Sequence, residues 1–188
     1  MTDDRTAFDR ELARAFSAEG WRTEVTASQV AARWRRFAED CEAGFAWDLE
    51  DYLGDLTLRT TLAAVLPGAV GTGADALRAQ VEEADLRLRQ VLTREAFPRQ
   101  PAGQWWLRNC PEYAARRFCA EFEEAYGVRI VARSRYDEDV TELAGLLIAG
   151  LTPAEACLEF RASGRYSAGT DALFLRAARE ALGLDQQG

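Results

Sequence analysis

The sequence contains no histidine and no lysine, and a single asparagine, Asn109. Without histidine there is no Ser–His or Cys–His nucleophile pair and no imidazole to bind a metal. Without lysine there is no Schiff base, no pyridoxal anchor and no P-loop lysine. The 23 basic residues are therefore all arginine. Lysine and asparagine codons are AT-rich and arginine codons GC-rich, so a GC-rich coding sequence accounts for the bias; selection against lysine modification is the competing account. The four cysteines, Cys41, Cys110, Cys119 and Cys157, form no C-x-x-C pair. They read as small buried hydrophobes in a reducing compartment. No apolar run approaches 18 residues, and the polar start Met1-Thr2-Asp3-Asp4-Arg5 lacks signal-peptide character, so a cytoplasmic chain is expected.

What is present suits a core-forming protein. Of 188 residues 48% are apolar and 29% charged, and five Trp, five Tyr and nine Phe supply large apolar surfaces. The length fits one ordinary domain or two very small ones. The net charge of −8 opposes binding to nucleic acid or anionic membrane and favours a basic protein partner.

Periodicity predicts a mainly α fold of about seven to eight helices with a minor two-stranded β element. A first helix over 4–19 carries Phe8, Leu12 and Phe16 on one stripe and stops at Gly20. Thr26 and Gln29 resemble a capping box opening a second helix with the face Val30, Trp34, Phe37 and Cys41. A third spans about 48–66, where Gly54 threatens to split it. The glycine-rich loop 68–73 then leads into a long helix over 74–95 built on Leu77, Val81, Leu88 and Val91. No Gly-Lys-Ser/Thr follows that loop, so it reads as a connector rather than a phosphate cradle.

Further on, Pro111 suits the first turn of a helix whose face is Phe118, Phe122 and Tyr126, stopped by Gly127. Short strands are expected at 21–25 and 128–131, and these two could pair. Three short helices complete the chain near 138–149, 153–163 and 171–182, the middle one opened by Thr152, Pro153 and Glu155. The expected organisation is an N-terminal helical half, 1–96, a linker with Trp-Trp, 97–110, and a C-terminal helical half, 111–188, or else one continuous domain.

Carboxylates are the main catalytic currency left, since Mg²⁺ and Mn²⁺ accept oxygen ligands. Glu39-x-x-Glu42 and Glu82-x-x-Asp85 each place two acids one turn apart. This pattern resembles the helical nucleotide pyrophosphohydrolases of the MazG type, and the resemblance implies a carboxylate-metal nucleotide hydrolase. In a chain with 31 acids, chance pairs at this spacing are common.

The charge distribution offers a different reading. From Ala38 to Leu58 the chain carries Glu39, Asp40, Glu42, Asp48, Glu50, Asp51 and Asp55 and no base. Asp48, Asp51 and Asp55 fall at helical spacing, and like charges on one face are a cost that a basic partner would relieve. The opposing reading is a solvated face neutralised by Arg33, Arg35, Arg36 or Arg59. Trp105-Trp106 adds a second candidate: one ring is expected in the core and the other at a binding surface, unless both plug the crevice between two halves. A helix-turn-helix over 138–182 is the remaining option, but its final helix offers only Arg176 and Arg179 against Asp171 and Glu180.

Residues 20–108 also resemble a group of small acidic actinobacterial proteins, largely without assigned function. The shared features are Trp34-x-x-Phe37, Gly44-Phe45, the stretch Leu49-Glu50-Asp51-Tyr52-Leu53-Gly54-Asp55-Leu56-Thr57-Leu58-Arg59, and a later Trp-Trp-Arg-like stretch. Gly54 stands where the group has Asn, and Leu49 where it has Tyr. Proteins of this size and charge are often immunity or antitoxin partners. The expectation is a non-enzymatic cytoplasmic protein-binding module, immunity- or antitoxin-like, without cofactor or metal. Its partner-binding residues are Asp48, Glu50, Asp51, Asp55, Trp105 and Trp106; a DNA-binding regulator is the alternative, with the metal enzyme third.

Overall fold

A computed structural model describes residues 2–21, 25–162 and 171–184. The strand expected at 21–25 falls largely outside them. The chain divides into two compact units, Met1–Arg133 and Ser134–Gly188.

The first unit is built on four helices: α1 (Thr2–Ala18), α2 (Ala27–Glu42), α3 (Leu49–Val65) and α4 (Thr72–Val91). Phe8, Leu12 and Phe16 of α1 are buried, and Gly20 takes the positive φ of 87° that favours glycine. The capping box at Thr26 is complete, with Gln29 N–H donating to the Thr26 hydroxyl and Thr26 N–H donating to the Gln29 side chain. Asp9 of α1 accepts from Ala27 N–H at 2.8 Å, satisfying another donor in the first turn of α2. The α2 face Val30, Trp34, Phe37 and Cys41 is wholly buried. It packs chiefly against α4, whose Leu77, Val81 and Leu88 lie in the same core.

Helix α3 runs unbroken through Gly54, because Tyr52, Leu56, Leu58 and Leu62 bury one broad face of it. Burial of that much apolar surface outweighs the roughly 1 kcal/mol that glycine costs a helix interior. Asp48 caps it, accepting from Asp51 N–H at 2.9 Å. The loop after α3 is a connector. Gly71 enters α4 at φ 100°, while Arg78 donates to the carbonyls of Leu66 and Ala69.

The second half of this unit holds β1 (Arg94–Glu95), the four-residue α5 (Trp105–Arg108), β2 (Asn109–Cys110), β3 (Tyr113–Ala114), α6 (Arg116–Tyr126) and β4 (Val131–Ala132). β1 and β2 pair antiparallel, Arg94 opposite Cys110. β3 and β4 pair in parallel, Tyr113 opposite Val131. Pro111 therefore does not start a helix. The backbone after it is extended for pairing, and Ala115 N–H donates to Phe45 O at 3.0 Å before α6 begins. Gly127 ends α6 in the left-handed conformation, φ 66°.

At the centre, Tyr52 meets the rings of Phe37, Phe45, Phe118 and Phe122 at centroid distances of 5.1–6.2 Å. The stretch 97–110 lies inside this unit, with the Phe97 ring tilted against Phe122 and edge-to-face with Tyr126.

The second unit contains α7 (Arg135–Ile148), α8 (Pro153–Ala162) and α9 (Asp171–Ala181) around Leu143, Ala156, Phe160, Phe174 and Ala178. Ser134 caps α7, and Thr152 with Glu155 forms the capping box of α8. The fold is mainly α, with nine helices and two small β pairings among the described residues. None of these helices is long and apolar enough to cross a membrane.

Candidate partner-binding surface

The base-free acidic segment does not present its seven carboxylates as one uniform face. Arg87 of α4 reaches across to α2, donating to both Glu42 oxygens (2.8 and 2.5 Å) and to Glu39 at 3.5 Å. This bond holds the Glu42 carboxyl below its usual range. Arg33 of α2 binds Asp55 at 2.5 Å, and the Asp55 side chain is only 14% exposed. Burial nevertheless pushes the Asp55 carboxyl above its usual range, because desolvation outweighs the Arg33 bond and the charges of Asp51 and Asp40 add to it. Asp48 is used as the α3 cap and lies 3.9 Å from Arg117. Asp48 and Asp55 are thus partly neutralised by Arg117 and Arg33, while Asp51 lies near enough to Asp55 for its charge to act on it.

Asp40 belongs to a different arrangement. It accepts the indole N–H of Trp47 at 2.9 Å. Partial burial raises its carboxyl above the usual range, against the opposing effects of the Trp47 bond and Arg36. Trp47 itself is 42% exposed, and Leu53, on the outer face of α3, is 40% exposed. Glu50 and Asp51, in the first turn of α3, are exposed as well. Of the seven acids, these two have no side-chain ion pair among the described residues. A tethered, half-exposed indole can take an arginine or lysine cation over its ring, and exposed carboxylates on the helical turn that follows it in the chain can meet such a charge.

Trp105 and Trp106 do not join that surface, because both are buried, 8% and 3% exposed. They stand edge to face at 6.0 Å, and each occupies its own arginine-walled slot. Arg89 of α4 lies 4.1 Å over Trp105, and Arg59 of α3 lies 4.2 Å over Trp106. Trp106 N–H donates to the Thr60 hydroxyl at 3.1 Å. The short α5 turns the adjacent rings toward different helices, so one core accommodates both.

The residues of the possible metal site are engaged elsewhere. Glu39 and Glu42 face Arg87, whereas Asp85 is buried against Arg59 and Trp34, and Glu82 is exposed. Among the described residues no group of three or more acids or thiols could hold a metal ion. The helix-turn-helix candidate includes 163–170, which lie outside the described residues. Arg176 is within 3.8 Å of Glu180, and residues 134–188 carry nine acids against five arginines. That balance disfavours a phosphate backbone.

The residues carrying the actinobacterial resemblance are largely core. Trp34, Phe37 and Phe45 are buried, Arg59 pairs with Asp85, and Trp106 lies under Arg59. Sequence reasoning assigned Trp47 no role; Asp48-x-x-Asp51 as a cap would have placed it just outside α3. The chain matches no family model, no curated protein and no solved structure.

Proposed function

We propose that the chain is a non-enzymatic protein-binding module, of the immunity- or antitoxin-like kind, that captures a basic partner on the surface formed by Trp47, Glu50, Asp51 and Leu53. The observation carrying this reading is Trp47: a large aromatic left half-exposed yet tethered through its N–H to Asp40, just ahead in the chain of Glu50 and Asp51, which are exposed and have no side-chain ion pair among the described residues. Tryptophan is enriched among the residues that dominate binding energy, and acidic neighbours speed capture of a basic surface. Asp48 and Asp55 are assigned to the scaffold, since they cap α3 and bind Arg33.

The test compares three forms of the protein as bait in lysate of the native host: wild type, Trp47→Ala, and Glu50→Arg with Asp51→Arg. The reading expects a protein captured by wild type, released by raised salt, and lost or weakened in both variants while their circular dichroism is unchanged. Capture that all three forms support equally would overturn it.

A further inference from the structure

We draw no further inference here: the strongest candidate, the groove between α1 and the N-terminus of α2 lined by Arg10, Arg14, Ser17 and Thr26, rests on a helix N-terminus with no second observation among the described residues that points to a ligand.

Discussion

Arg59 holds Asp85 through both carboxylate oxygens, its Nε 3.0 Å from Oδ1 and its Nη2 2.7 Å from Oδ2. Trp34 N–H donates to the same Oδ1 at 2.9 Å, and the Arg59 guanidinium continues over Trp106. One carboxylate therefore links α2, α3, α4 and α5. The two charged side chains are each only 13% exposed. Removing one member of such a pair leaves the other charge desolvated, a loss of about 3–5 kcal/mol. Asp85→Ala should destabilise the first unit by that order, and Arg59→Lys by less, since lysine keeps the charge but not the fork. Urea unfolding followed by circular dichroism measures both; a loss below about 1 kcal/mol for Asp85→Ala would contradict the role given to this carboxylate.

Tyr52 is 2% exposed, and its hydroxyl has no hydrogen-bond partner among the described residues. The same burial pushes its ionisation well above the ordinary range, which keeps it neutral. A buried, unbonded hydroxyl costs on the order of 1–3 kcal/mol relative to its hydrated state. Tyr52→Phe keeps the ring contacts with Phe37, Phe45, Phe118 and Phe122 and removes that cost. The variant should unfold at equal or higher urea, with a gain of about 1 kcal/mol. A clear loss of stability would mean that the hydroxyl has a stabilising contact.

The helices were legible where their determinants are local. The Val30, Trp34, Phe37, Cys41 spacing exposes the buried face of α2 directly, and Thr26 with Gln29 marks its start within four residues. Thr152, Pro153 and Glu155 do the same for α8. The β pairings were not legible in the same way. β4 pairs with residues before α6, and what aligns Tyr113 with Val131 is the length of the intervening helix and turn. Two-residue strands carry no alternation to read. Burial of the Trp pair was equally hidden, because it depends on Arg59 and Arg89 from two other helices.

The candidate surface shows the same division. Composition located an acidic segment, and the structure sorted its members by partners distant in sequence. Arg87 lies 45 residues from Glu42, and Arg33 lies 22 residues from Asp55. Charge runs identify where acids are dense, whereas tertiary contacts decide which of them remain available.

Gly54 lies within α3 at a position where an added Cβ would meet only Arg33 Nη2, at 3.5 Å, an ordinary contact. Its φ is not positive, so alanine fits the existing backbone. Gly54→Ala should then stabilise the protein by about 0.5–1 kcal/mol, mainly by restricting the unfolded chain. Thermal unfolding should show a higher midpoint with the Arg33–Asp55 pair retained. A lower midpoint would contradict the fit of alanine at this position.

Asp40 allows a prediction with a definite sign in pH. Its folded-state carboxyl is raised above the usual value of 3.8, chiefly by burial, so between 3.8 and that raised value the folded protein binds more protons than the unfolded chain. Stability contributed by the protonated form is present below 3.8 and lost as pH rises through the window. Asp40→Asn does not titrate, and its amide oxygen can still accept the Trp47 N–H. The substitution also removes the Asp40 charge that raises Asp55, which acts in the same direction. The difference in unfolding midpoint, Asn variant minus wild type, should therefore grow as pH rises through the carboxylate range and stay constant above it. Thermal melts from pH 3 to pH 7 measure that difference directly. A difference that is flat across the series, or that shrinks toward neutral pH, would show that the Trp47 bond to the charged carboxylate balances or outweighs the cost of burying it.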